Sequence, residues 1–374
     1  MMTRFKMSMI SLVGCAAVAL FCISIAQAKK PDNPPGGGGG GKDAVPGGLV
    51  YFYHDRSVWQ MDSDGSNHVE FPNAPTDNSA DPSQTTHDGE RWFTYRDWGP
   101  VTSQYPNGRD YIEGWVGSES GTMVSLVAEA DLEILSPLVW TPDDHSVSFI
   151  GERWVLDESG QPTEVSEAGL YVVDVEYDAA GSVSGSVPGS LTFVADLSTE
   201  LNVDASGFTS SGEVAGHSWS PDQSSFAFGA RFWEAEPFVQ TIWVVNLSNV
   251  TDPHAVPTES LLLLDSDNGM GWPQWSPDGT RISYVSRDGN YVYDLTTDNT
   301  KLLRRTPSTS WGRSHWSPDG SHFVISHWDN FTGYDGIYRM TAELRSKTVL
   351  IDDSLCPDDN VIFNCQLITL GWRE

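Results

Sequence analysis

The sequence predicts an all-β fold, a six-bladed β-propeller of four-stranded antiparallel blades, and three observations carry that expectation. One short phrase returns five times, as Thr85-Thr-His-Asp-Gly89, Trp140-Thr-Pro-Asp-Asp144, Trp219-Ser-Pro-Asp-Gln223, Trp275-Ser-Pro-Asp-Gly279 and Trp316-Ser-Pro-Asp-Gly320. A repeated phrase marks a repeated structural unit. Each copy is followed by a run rich in β-branched and aromatic residues, such as Ser225-Phe-Ala-Phe228 or Arg281-Ile-Ser-Tyr-Val-Ser286, which is strand composition. The copies begin at 85, 140, 219, 275 and 316, so the steps are 55, 79, 56 and 41 residues, the spacing of propeller blades.

Taken in order, residues 1–28 read as a secretory signal. Arg4 and Lys6 precede an apolar run from Met7 to Ile25, and Ala26-Gln-Ala28 is a small-x-small cleavage site. Two rival readings stand beside it: a lipoprotein box at Leu12-Val-Gly-Cys15, and retention of the run as an uncleaved anchor. Residues 29–48 contain Pro31-Asp-Asn-Pro-Pro35 and six consecutive glycines, 36 to 41, a composition that makes a flexible linker. Residues 49–374 hold the propeller. Leu49-Val-Tyr-Phe-Tyr53 looks like the second strand of a unit that lacks its opening strand. Ile368-Thr-Leu-Gly-Trp372 supplies one, with Trp372 lying 56 residues past Trp316. Pairing of that C-terminal strand with the N-terminal blade would close the ring and remove free sheet edges.

Within each unit the phrase makes a turn, because Pro presets φ, Asp bonds the backbone beyond it, and Gly accepts positive φ. Third strands follow at Val58–Met61, Tyr111–Trp115, Leu170–Val173, Thr241–Val245, Tyr291–Tyr293 and Gly336–Met340, and fourth strands at Leu261–Leu264, Lys301–Leu303 and Thr348–Ile351. The third unit carries the largest insertions, 155–167 and 176–215, where Gly, Ser and Asp dominate. The repeated tryptophans Trp140, Trp219, Trp275, Trp316 and Trp372 are expected to pack between blades.

The Trp-Ser-Pro-Asp-Gly phrase, with its apolar strand and a Tyr-Val strand ending at Asp62, Asp174 or Asp294 (Asn246 in one unit), resembles the TolB-like propeller repeat. The resemblance covers residues 49–374. Propellers of this repeat type occur in periplasmic binding and scaffold proteins, in front of peptidase domains, and as stand-alone lyases. It therefore implies the fold and leaves binding and catalysis both open.

The formal net charge is −30, which makes nucleic acid and anionic membrane surfaces poor partners. After loss of the signal, Cys356 and Cys365 are the remaining cysteines, and an even pair in an exported chain is expected to be bridged. The expectation is a periplasmic or secreted monomer, with no membrane span after cleavage and no cofactor.

Residues leading into the first strand and loops between second and third strands share one propeller face, where function collects. Those segments hold Arg56, Arg96, Trp98, Arg153, Trp154, Arg231, Trp233, Trp272, Arg287, Arg313, His327 and Trp328. Arg offers a planar fork to carboxylates and Trp a flat apolar face to sugar rings or peptide side chains. The competing reading is inert ion pairs between these arginines and neighbours such as Asp55, Asp97 or Asp288. His217, His315, His322 and His327 are the candidate metal ligands. His217 sits two residues before its Trp and His315 one, so strand alternation aims them to opposite sides, and no metal site is assigned. Asp62-Ser-Asp-Gly65 reads as a plain turn, since Asn73 stands where a calcium loop needs Glu. No G-x-S-x-G, H-E-x-x-H or P-loop occurs.

The functional expectation is a non-catalytic binding or scaffold module that takes a protein partner or an anionic or glycan ligand through its Arg/Trp face. The alternative is a polysaccharide lyase or hydrolase acting on an acidic glycan, with a metal or Arg neutralising the carboxylate and Glu152, Asp97, Asp329 and the histidines as candidate acids and bases.

Overall fold

The computed structural model describes residues 48–53, 57–71, 80–86, 92–98, 112–118, 120–160, 162–201, 213–232, 239–265, 269–286, 289–305, 310–311, 313–329, 336–342, 347–351 and 367–373. All of them lie in one compact unit, Ala44–Glu374.

The strands run in unit order. First come β1 (Gly48–Tyr53), β2 (Ser57–Asp62) and β3 (Val69–Phe71), then β4 (Ala80–Thr85), β5 (Trp92–Trp98), β6 (Ile112–Ser118) and β7 (Met123–Val127). The third unit holds β8 (Leu132–Ile134), β9 (Val139–Trp140), β10 (Ser146–Leu156), β11 (Pro162–Tyr177), β12 (Val183–Ser186) and β13 (Thr192–Asp196). The fourth holds β14 (Glu213–Trp219), β15 (Ser225–Phe232), β16 (Val239–Asn246) and β17 (Leu261–Asp265). The fifth holds β18 (Gly269–Trp275), β19 (Arg281–Ser286), β20 (Gly289–Asp294) and β21 (Asn299–Arg305). Last are β22 (Ser310–Trp311), β23 (Ser314–Trp316), β24 (His322–Asp329), β25 (Gly336–Thr341), β26 (Lys347–Ile351) and β27 (Leu367–Arg373). Among the described residues these strands form six antiparallel sheets, four of them four-stranded, and the architecture is an all-β propeller. The strand order of one sheet is β27-β1-β2-β3, with Leu49 opposite Trp372 and Phe52 opposite Ile368.

The phrase builds the same turn wherever it is described. A backbone bond closes it from Asp144 N to Thr141 O, Gln223 N to Ser220 O, Gly279 N to Ser276 O and Gly320 N to Ser317 O. The Ser or Thr hydroxyl donates to the Asp carboxylate, as Ser220 does to Asp222 at 2.7 Å and Ser317 to Asp319 at 2.7 Å. That carboxylate also accepts the backbone N–H two residues on. The fifth position has positive φ throughout, 68° at Gly279 and 66° at Gly320, but also 55° at Asp144 and 58° at Gln223. Glycine meets that demand without strain.

Cores lie between neighbouring sheets. Val58, Phe93 and Leu370 join the first and second sheets, and Trp92, Ile134, Trp140 and Phe149 the second and third. Leu170, Val214 and Phe226 join the third and fourth, Ala227, Ile282 and Trp275 the fourth and fifth, and Val292, Trp316 and Phe323 the fifth and sixth. Between the sixth sheet and the sheet of β1, Arg339 Nη1 donates to Ser63 O at 2.7 Å and Trp372 Nε1 to His315 O at 3.0 Å. The phrase tryptophans thus pack between sheets, as their repetition predicts. Trp140, Trp219 and Trp316 likewise donate their indole N–H to the preceding sheet, at Trp92 O, Ser148 Oγ and Gln274 O.

The insertions of the third unit carry strands of their own. Residues 155–167 are largely an extension of the β10–β11 hairpin, with Arg153 opposite Glu167 and Val155 opposite Glu164. The insertion at 176–215 contributes β12 and β13. Their Gly, Ser and Asp content reads as loop, but pairing against the long β11 gives their backbone groups partners. For the same reason Asp174 does not end its strand, because β11 runs on to Tyr177. The segment 62–67 forms the tight turn expected, its carboxylates taken up by Ser66 and Asn67.

Candidate functional site

Second strands start at the phrase turn and run to the opposite end of their sheet, so the far end of each second strand lies beside the start of its first strand. Four second strands carry predicted residues at that far end: Arg96 and Trp98 in β5, Arg153 and Trp154 in β10, Arg231 in β15, and His327 and Trp328 in β24. Arg56, Trp233 and Arg287 fall outside the described residues, as do Cys356 and Cys365.

Trp272 and Arg313 meet. Each stands three residues before the phrase tryptophan of its own unit, and the Arg313 guanidinium carbon lies 3.8 Å from the centroid of the Trp272 ring. Behind the indole is Gly216, the residue at the same position one unit earlier. A Cβ there would fall 2.7 Å from the Trp272 ring, so only glycine lets the ring lie against the backbone. Three consecutive units therefore contribute one stacked layer of glycine, indole and guanidinium. Arg313 is anchored through its backbone, donating to Ser326 Oγ at 3.1 Å and accepting from Ser326 N at 2.9 Å.

Arg153 has a different environment. It contacts Glu129 at 2.9 Å, Asp131 at 2.7 Å and Glu167 at 3.4 Å. Burial works against its charge, but the bonds to Glu129 and Asp131 outweigh burial and hold it protonated. It follows the ion-pair reading, although its partners are not the aspartates named from the sequence. Trp154 is 2 % exposed and offers no face to a ligand. Glu152, named as a catalytic candidate, is fully buried in β10 opposite Glu133.

Of the candidate histidines, His217 lies in the core between the third and fourth sheets. His217 is 1 % exposed, with Nε2 2.8 Å from Ser148 Oγ and Nδ1 3.4 Å from Ser136 Oγ. Burial pushes its pKa down to about 3, so it is neutral. It ties the third and fourth sheets together. Thr94 Oγ1 makes the equivalent tie to Leu138 O at 2.8 Å, and Ser283 Oγ to Ser314 Oγ at 2.9 Å. Among the described residues no three His, Cys, Asp or Glu side chains are grouped to hold a metal ion, and no helix is long and apolar enough to cross a membrane.

A cavity of about 250 Å³ lies at the other end, where the phrase turns are. Every sheet contributes to it. Trp140, Trp219, Trp275, Trp316 and Trp372 line it, with the turn prolines Pro142, Pro221, Pro277 and Pro318 and the residues just before the tryptophans: Val139, Ser218, Gln274, His315 and Gly371. Gln84 lines it too, with its Oε1 accepting from Trp140 N at 2.6 Å. Sequence reasoning treated the tryptophans as core alone and missed this cavity. The position before the phrase varies freely in residue type, and only its constant register could have marked it.

The fold is an all-β propeller of antiparallel sheets, most of them four-stranded, and its repeats resemble those of TolB-like propellers. The chain is similar to the Tol-Pal system protein TolB of Alcanivorax borkumensis, 35 % identical over 80 residues, 20 % of this chain and 17 % of the relative. The match thus spans less than a fifth of that protein's length. No family model matches. Among solved structures, a TolB candidate from Agrobacterium tumefaciens aligns with TM-score 0.44 and 13 % identity over 82 % of this chain and 89 % of the other. The oligogalacturonate lyase of Vibrio parahaemolyticus aligns with TM-score 0.44 and 14 % identity over 82 % and 74 %. A chain of the nidogen–laminin complex aligns with TM-score 0.49 and 8 % identity over 87 % and 97 %.

Proposed function

We propose that this is an exported, non-catalytic binding or scaffold propeller that takes a protein partner, or an anionic or glycan ligand, at the end carrying Trp272 and Arg313. Residues 1–28 are its cleaved signal, 29–48 a flexible linker, and 49–374 a six-bladed ring closed by β27 on β1. The side-chain bonds between the sixth sheet and the sheet of β1 support closure. The mature chain is a periplasmic or secreted monomer with Cys356 and Cys365 bridged. Its matched relative is a Tol-Pal system protein, which favours a protein partner in the cell envelope.

The observation that carries this reading is the Arg313 guanidinium carbon lying over the Trp272 ring, 3.8 Å from its centroid. A planar cation fixed on an aromatic face loses little freedom on engaging a carboxylate, and the indole beside it buries apolar surface. A Trp272→Ala/Arg313→Ala chain and the unaltered chain, used as baits against periplasmic extract, test it. One partner retained by the unaltered chain and lost by the variant is expected; equal recovery contradicts the reading. The alternative, a lyase or hydrolase on an acidic glycan, would be established by release of unsaturated or reducing ends from pectin or alginate.

A further inference from the structure

We propose that the cavity at the phrase-turn end is a second binding site, built for a single neutral sugar ring. It is distinct from the Trp272/Arg313 end and does not depend on it. Its volume of about 250 Å³ gives room for a small ligand such as one sugar ring. The lining has two kinds of surface. Indoles and proline rings supply its apolar surface, while Gln84, Ser218, Gln274 and His315 supply two amides, a hydroxyl and an imidazole. Among the described residues no Asp, Glu, Lys or Arg lines it. A pyranose has the complementary pair of surfaces, an apolar C–H face that lies on aromatic rings and an edge of hydroxyls that both donate and accept.

Two of the lining residues carry a buried polar atom without a hydrogen-bond partner among the described residues. Ser218 is 5 % exposed, and its Oγ has no hydrogen-bond partner among the described residues. Trp275 Nε1 is likewise buried without one. Both residues line the cavity. Every other phrase tryptophan donates its N–H to the preceding sheet. A buried polar group left unmet costs about 1–3 kcal/mol. An anionic ligand fits less well, because no described residue of the lining offers a fixed positive charge and the chain carries −30 overall.

The test is saturation-transfer NMR and tryptophan fluorescence of the mature chain with methyl glucoside, methyl galactoside and N-acetylglucosamine. At least one should receive saturation and shift the emission, and Ser218→Val or Gln274→Leu should lower its affinity about tenfold, the equivalent of one hydrogen bond, at unchanged thermal midpoint. If neither variant folds, protection of the tryptophans from acrylamide quenching by that glycoside in the unaltered chain replaces them, and its absence counts against the site. Saturation transfer to none of the three overturns the proposal, as does unchanged affinity in both variants. Trp272→Ala/Arg313→Ala should leave glycoside binding intact; loss there would put the sugar at the other end and also overturn it.

Discussion

Trp219 Nε1 donates to Ser148 Oγ at 2.8 Å across two neighbouring sheets, whereas Trp275, one sheet later, packs with Ala227 at the position that Ser148 holds. Eight residues separate each phrase tryptophan from that position in its own unit, so the pair Ser148/Ala227 is a natural experiment on one hydrogen bond. Trp219→Phe should cost about 1 kcal/mol more than Trp275→Phe, and Ala227→Ser should stabilise by about 1 kcal/mol by supplying the missing acceptor. Urea unfolding of the three variants checks this. Equal costs for the two Phe variants would contradict it.

The turn glycines give a second prediction. A Cβ at Gly279 would meet Pro221 Cδ at 3.7 Å, and one at Gly320 Pro277 Cδ at 3.8 Å, so there is room. Their φ values of 68° and 66° are what an L side chain resists. Alanine at either should cost about 1 kcal/mol. Gly169→Ala should cost distinctly more, since its Cβ would fall 2.0 Å from Ala195 O. Thermal midpoints that rank the three alike would show that backbone approach in the third sheet is looser than described.

Acid should weaken the fold in two stages. His217 titrates near 6.5 when unfolded and at about 3 when folded, so between those values the unfolded chain binds a proton that the folded one refuses. Stability then falls by up to about 1.4 kcal/mol per pH unit from this site as pH drops. The carboxyls of Asp143, Asp222, Asp278 and Asp319 add a second stage. Burial would raise them, but hydroxyl and backbone bonds outweigh it and hold them below 3.8. Their contribution is present above 3.8 and is lost as pH falls through the folded values. In His217→Gln the decline between pH 6 and 4 should flatten, while the steeper loss below 3.8 should persist. An unchanged slope between pH 6 and 4 would remove His217 from the account.

Gly216→Ala probes the stacked layer without touching either partner. The new Cβ would fall 2.7 Å from the Trp272 ring, and φ at 216 is 82°, so the indole must move off its seat beneath Arg313. Partner recovery in the pull-down should drop as it does for Trp272→Ala. Full recovery would mean that the stacking is incidental to binding.

The phrase made the inner half of each unit legible, because its Ser, Asp and Gly act on backbone within five residues and the same turn recurs at 141–146, 220–225, 276–281 and 317–322. What was not legible depends on distance along the chain. Arg153 finds Glu129 and Asp131 more than twenty residues upstream, and the polar insertions of the third unit become strands only by pairing with β11. Trp272 and Arg313 were found singly among the candidates. Their contact arises because adjacent units place the same register position side by side, a relation that no single unit displays.

The account rests most heavily on the chain's two ends sharing one sheet in a ring of six. Cysteines at Phe52 and Ile368, opposite each other in β1 and β27, placed in a Cys356→Ser/Cys365→Ser background and oxidised, measure that directly. An intramolecular disulfide should form nearly completely in the folded chain, detected by its faster non-reducing migration, whereas Phe52→Cys/Val349→Cys in the same background should give none. Failure of the 52/368 pair to close while both chains remain folded would contradict the closed ring.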